Sequence, residues 1–196
     1  MKLTLAVTGA SGAVLAQQML RVLTQDPRVE RVHFVASEHS LRVMAEELEI
    51  SGRTDLLSKL MGERSQKISQ LSNDDIAAPI ASGSYPNDGM IVLPCSMGTL
   101  SGIANGIAEN LIERAADVCL KERRRLILCV RETPFNRIHL RNMLLAEEAG
   151  ATIFPVIPAF YTKPVDTAEL TKQFVARVLA HIGLPQPDMY RWKNED

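Results

Sequence analysis

The chain has 196 residues, 46% hydrophobic and 23% charged, the balance of a single globular domain with a sizeable core. Its 22 basic and 23 acidic residues leave a net charge of −1, which points away from nucleic acid and anionic membranes as partners. Three cysteines without CxxC spacing (Cys95, Cys119, Cys129) argue against a disulfide framework or structural zinc site and fit a reducing, cytoplasmic compartment. The apolar N-terminus runs straight into a glycine turn without a signal-peptide pattern, and no segment approaches ~18–20 uninterrupted apolar residues, so no membrane span is expected.

In chain order, Thr4 to Val7 is a short apolar run that ends at Thr8-Gly9-Ala10-Ser11-Gly12, as a buried parallel strand would. Val14, Leu15, Met19, Leu20, Val22 and Leu23 follow at helical spacing. Arg31 to Ala36 reads as a second strand, and Ser40 to Leu48 and Asp55 to Met61 as helices. Between those helices Gly52-Arg53-Thr54 forms a break, with Thr54 a candidate N-cap. Ser72 to Asp88, with Pro79, Gly83 and Pro86, is mostly loop. Gly89 to Pro94 is a buried strand that stops at Cys95-Ser96-Met97-Gly98-Thr99, a turn leading toward a helix. Ile107 to Leu120 is helical, Arg125 to Val130 a strand, Arg131 to Asn136 a loop and Ile138 to Ala149 a helix closed by Gly150. Ala151 to Phe154 is the last strand and Thr167 to Ile182 the last helix. Strands alternating with helices predict an α/β fold, a mainly parallel sheet in three αβα layers. Residues 1–196 read as one domain with 183–196 a C-terminal tail. In such sheets ligands sit at the carboxyl ends of the strands, where residues 8–12, 95–99 and 131–136 form unusual loops.

Each loop has a chemical and a plain reading. The glycines of Gly9-Ala10-Ser11-Gly12 would let backbone approach a phosphate at a helix N-terminus, although the stretch is neither GxGxxG nor a P-loop. The plain reading is a tight turn with Ser11 as N-cap. Cys95-Ser96-Met97-Gly98-Thr99 could cradle a second anion; Cys95 itself reads better as a small buried thiol than as a nucleophile. In Arg131-Glu132, the arginine could hold a phosphate or a flavin carbonyl and the glutamate could transfer a proton; a solvated loop pair is the alternative. Arg114 and Lys121 stand seven residues apart, on one helix face, either framing a phosphate or simply solvated. Tyr161 could reach a phosphate while Phe160 packs. His33, His39, His139 and His181 lack metal-ligand spacing, and no metal is expected.

Taken together, Thr8-Gly9-Ala10-Ser11-Gly12, Ala81-Ser82-Gly83-Ser84, Pro94-Cys95-Ser96-Met97-Gly98-Thr99, the run from Asn110 to Arg124 with its ERAADVCLKERR core, Arg131-Glu132-Thr133-Pro134-Phe135 and Pro158-Ala159-Phe160-Tyr161 resemble the UbiX-type flavin prenyltransferases, a Rossmann-like or flavodoxin-like family. The resemblance runs from about residue 3 to Trp192. It implies transfer of a dimethylallyl group from dimethylallyl monophosphate to reduced FMN, at N5 and C6, without metal. The product would pass to a UbiD-type decarboxylase. It also implies that Gly9, Ala10, Ser11, Ser37, Ser96, Met97, Gly98, Thr99 and Arg131 hold FMN, with Ser11 near N5. Tyr161, Arg177, Arg114 and Lys121 would grip the prenyl phosphate, the last two from a neighbouring subunit of a homododecamer. Glu47 and Glu132 would manage protons. The chain departs from relatives at Leu15 and Ala16 and lacks a tryptophan near Asp74-Asp75-Ile76; Trp192 could supply that aromatic wall. The competing readings are an FMN-binding accessory subunit of an aromatic acid decarboxylase and an FMN-dependent cysteine-type decarboxylase. The latter relies on an early histidine, and none precedes His33.

Overall fold

A computed structural model describes residues 1–50, 56–62 and 65–192. The first half runs β1 (Lys2–Val7), α1 (Ala13–Gln25), β2 (Arg31–Ala36), α2 (Glu38–Leu48), α3 (Leu56–Met61) and β3 (Ile68–Leu71). The second runs β4 (Gly89–Cys95), α4 (Met97–Ala104), α5 (Leu111–Lys121), β5 (Arg125–Val130), α6 (Arg137–Glu148), β6 (Thr152–Ile153) and α7 (Thr167–Ile182). The six strands pair in the order β3-β2-β1-β4-β5-β6, and every pairing is parallel. This is the doubly wound α/β order in which the chain reverses direction across the sheet between β1 and β4.

Strand side chains alternate between two apolar layers, as period-two geometry requires. Leu3, Leu5, Val7, Ile91, Leu93, Ile127 and Cys129 pack with α1, α3 and α7. Ala6, Val35, Met90, Val92, Leu126, Leu128 and Val130 face α4 and α5 on the other side. β4 is the centre, with all seven residues buried. At its start, a Cβ on Gly89 would lie 3.0 Å from the Arg125 carbonyl and from Ile182, so glycine sets how closely β5 and α7 approach.

Most expected elements form. The differences have local causes. The helix expected from Ile107 begins at Leu111, because Ile107 N–H still closes the end of α4 on the Gly102 carbonyl and the Asn110 side chain accepts from Glu113 N–H. The final strand contracts to Thr152–Ile153, although Phe154 N–H donates to the Leu128 carbonyl beyond it. β3 was not expected; it is a four-residue edge strand, and Ile68, Ser69, Gln70 and Leu71 carry too weak an apolar pattern to announce it. The Ser72–Asp88 loop contains one 3-10 turn, Pro79–Ala81. The break at Gly52-Arg53-Thr54 with its cap, Asp55 at the start of the next expected helix, and residues 193–196 of the tail lie outside the described residues.

Candidate functional site

At the reversal between β1 and β4, α1 leaves on one face of the sheet and α4 on the other, opening a crevice at the carboxyl ends of the strands. Backbone hydrogen bonds gather the candidate loops around it. Thr8 N–H donates to the Pro94 carbonyl at 3.1 Å, Ser37 N–H to Val7 at 2.9 Å and Arg131 N–H to Cys95 at 3.1 Å. Gly9, Ala10, Ser11, Ser37, Ser96 and Arg131 are therefore brought to one place from four separate strand ends. Gly9 is needed for this closeness: a Cβ there would come within 2.6 Å of His39 Cβ.

Ser11 does not cap α1. The cap position is Gly12, at φ +123°, with no side-chain cap of its own. The carboxylate of Glu47 takes over, accepting from Gly12 N–H at 3.0 and 3.1 Å and from Ala13 N–H at 2.7 Å. Glu47, on the last turn of α2, thus fills the anion site that the macrodipole of α1 creates. Ser11 is left half-buried at the crevice, where its hydroxyl has no partner among the described residues. The two neighbouring helices cap themselves: Ser37 Oγ accepts from Ser40 N–H at 3.2 Å and Ser96 Oγ from Thr99 N–H at 3.4 Å.

The first turn of α4 is open. A Cβ on Gly98 would meet nothing within 4 Å, and Thr99 Oγ1 lies 3.2 Å from Ser96 Oγ. Hydroxyls, helix N–H groups and an exposed Arg131 guanidinium, unpaired among the described residues, fit a ligand carrying both a phosphate and hydrogen-bonding ring atoms. Cys95 has no reactive setting: it is fully buried, and burial pushes its thiol up to about 12. Glu132 is exposed, with its carboxylate accepting from Thr133 N–H at 2.9 Å.

A cavity of about 340 Å³ lies between the segment after β6 and α7; its lining includes Phe154, Phe160, Tyr161, Phe174, Arg177 and Tyr190. Arg177 Nη1 donates to the Tyr161 hydroxyl at 2.8 Å. Tyr161 also meets the rings of Tyr190 and Trp192 at centroid distances of 5.6 and 5.5 Å.

Arg114 and Lys121 are elsewhere. They stand on α5, in the opposite helical layer from α7. Arg114 donates to the Ala81 carbonyl at 3.1 Å and pairs with Asp117 at 2.7 Å, and Lys121 pairs with Glu122. Lys121 ends α5 just before β5 begins, so it sits toward the amino ends of the strands, roughly 15 Å along the helix from the carboxyl-end side where α5 starts. A single chain does not bring the four phosphate candidates together.

A family model described as Flavoprotein matches residues 1–178. A flavin prenyltransferase UbiX from Halalkalibacterium halodurans is 43% identical over 194 residues, 98% of this chain and 93% of the relative. The chain belongs to the UbiX flavin prenyltransferase family. Among solved structures of this kind, AnUbiX (PadA1) in complex with FMN and dimethylallyl pyrophosphate superposes with a TM-score of 0.87 at 41% identity, covering 100% of this chain and 98% of the other. A dodecameric FMN-dependent UbiX-like decarboxylase from Escherichia coli O157:H7 gives 0.87 at 41% identity, covering 98% of this chain and 100% of that one.

Within the UbiX-family fold, two contacts at the crevice escape sequence reasoning. Glu47 reaches α1 across 35 residues, and no spacing rule flags a cap supplied from another helix. The Thr8 hydroxyl bridges to β4 from 86 residues away. Its only signal is a polar residue at the end of an apolar strand. Among the described residues no group of three or more His, Cys, Asp or Glu could hold a metal, and no helix is long and apolar enough to cross a membrane.

Proposed function

We propose that the chain transfers the dimethylallyl group of dimethylallyl monophosphate to reduced FMN. The observation that carries this reading is the crevice at the β1–β4 reversal, where the loops of the family resemblance converge on an open helix N-terminus. When bound, reduced FMN supplies the nucleophilic ring atoms. Met97 and Gly98 offer the open N–H groups of the first turn of α4, Ser96, Thr99 and Ser37 their hydroxyls, and Arg131 a guanidinium that is unpaired among the described residues. Gly9 and Ala10 present the β1 turn to the ring, and the Ser11 hydroxyl, without a partner among the described residues, is available to it.

A departing phosphate needs cations held in place before charge develops. Arg177, with the Tyr161 hydroxyl as a hydrogen-bonding neighbour, supplies one cation, and Arg114 and Lys121 supply two more on the opposite layer. We assign Arg114 and Lys121 to the site of a neighbouring copy in a homo-oligomer, with a dodecamer the assembly seen in the E. coli relative. Exposed Glu132 is the proton-transfer candidate beside Arg131, and Glu47, whose carboxylate already accepts from Gly12 and Ala13 N–H, is the second. The product is a modified flavin suited to a UbiD-type decarboxylase partner.

The test is anaerobic incubation with FMN, a reductant and dimethylallyl monophosphate, followed by mass measurement of the extracted flavin. The reading requires a gain of one C5H8 unit, lost in Lys121→Ala or Arg177→Ala. Unmodified flavin despite tight FMN binding, with the diphosphate also tried, leaves an accessory flavin carrier as the surviving reading.

A further inference from the structure

We propose that Thr8 is a positioning residue that sets the spacing between the two halves of the crevice, an inference that rests on the flavin reading above. Thr8 is 1% exposed and precedes the β1 turn. Its hydroxyl donates to the Pro94 carbonyl at 3.0 Å and accepts from Ser96 N–H at 2.8 Å, while its own N–H donates to the same carbonyl at 3.1 Å.

The place of these bonds gives them their weight. The β1–β4 register runs from Leu3 opposite Gly89 to Ala6 opposite Val92 and goes no further. The β4–β5 register shifts between Val92 and Cys95. Pro94 lies in that gap and has no N–H with which to continue a ladder. The end of β4, which launches α4, is thus tied to β1 by Thr8 rather than by regular pairing. Ser96, held through its N–H, is the N-cap of α4 and a proposed flavin contact. The Thr8 hydroxyl, alongside the backbone bond from Thr8 N–H to the Pro94 carbonyl, therefore sets the distance from Gly9-Ala10-Ser11 to the α4 donors, and it alone holds Ser96 N–H. A β-branched threonine suits the task, because its methyl restricts χ1 and holds the oxygen between two backbone partners.

The test compares Thr8→Val, which keeps the shape and removes the oxygen, with Thr8→Ser, which keeps the oxygen. Orphaning the Ser96 N–H is expected to weaken FMN binding roughly tenfold and to shift the visible absorption of the bound flavin at saturation. Thr8→Ser is expected to bind and absorb as the native chain does, and thermal melting of each flavin-free variant separates fold loss from site loss. Native affinity and spectrum in Thr8→Val overturn the inference, as does an equal loss in both variants. Should Thr8→Val fail to fold, Thr8→Ala carries the same comparison. If the native chain itself does not bind FMN, the flavin reading falls and this inference with it; native binding with an unaffected Thr8→Val removes this inference alone.

Discussion

At the scale of single residues, the clearest feature is a helix capped from outside. Glu47 satisfies two N–H groups of α1 that no nearby side chain reaches. Glu47→Ala leaves them to solvent beside the crevice, and the expected loss is about 1 kcal/mol, that of an ordinary N-cap. Urea unfolding of the two proteins measures it; an unchanged midpoint means that water replaces the carboxylate at no cost. A second residue gives a pH signature. His33 is buried, its Nε2 sits 2.9 Å from the Tyr85 hydroxyl, and its Nδ1 has no partner among the described residues. Burial, with the nearby charges of Arg31 and Lys2, lowers its pKa below the ordinary 6.5. The unfolded chain therefore takes up a proton near that value while the folded one resists it. The contribution is complete above about pH 6.5 and is lost as pH falls toward the lowered value. His33→Phe should flatten the fall in urea midpoint between about pH 7.5 and 5.5; an undiminished slope assigns the effect to other groups.

At the scale of elements, periodicity carried most of the fold. β2, β5 and α7 begin and end where apolar spacing and cap residues place them, at Arg31–Ala36, Arg125–Val130 and Thr167–Ile182. The short polar edge strand β3 and the true start of α5 were not legible, because one rests on a neighbour's backbone and the other on where α4 ends. The same division holds for the site. The glycine and serine loops were readable as local motifs, but the caps and bridges between them are contacts across 30 to 88 residues. Gly9 shows how tightly two elements are fitted there. Gly9→Ala drives a methyl toward His39 at the start of α2, an overpacking expected to cost about 1–3 kcal/mol. Because α2 carries Ser37 and Glu47, FMN affinity should fall alongside the melting temperature. A melting temperature and flavin titration equal to those of the native chain imply that α2 moves aside freely.

At the scale of the whole molecule, the sheet separates the two halves of the proposed phosphate site. Arg114 and Lys121 belong to one layer, Tyr161 and Arg177 to the other. The surface also carries apolar material that a monomer has no use for. On α6, Ile138, Leu140 and Leu144 are 67%, 54% and 57% exposed, while the residues it buries are Asn142 and Ala146. Exposed clusters of this kind mark contact surfaces. If copies complete one another's sites, Lys121→Ala and Arg177→Ala oligomers are each inactive alone, because every site lacks one cation. Dissociated, mixed in equal amounts and reassembled, they should regain activity, since about a quarter of the sites in a symmetric assembly then draw both native residues from different copies. Flavin prenylation measured before and after mixing reads the result directly. Recovery near that fraction establishes a site shared between subunits. No recovery, with reassembly verified by size, places both pairs in the service of one chain and requires α5 and α7 to be reached by separate ligands.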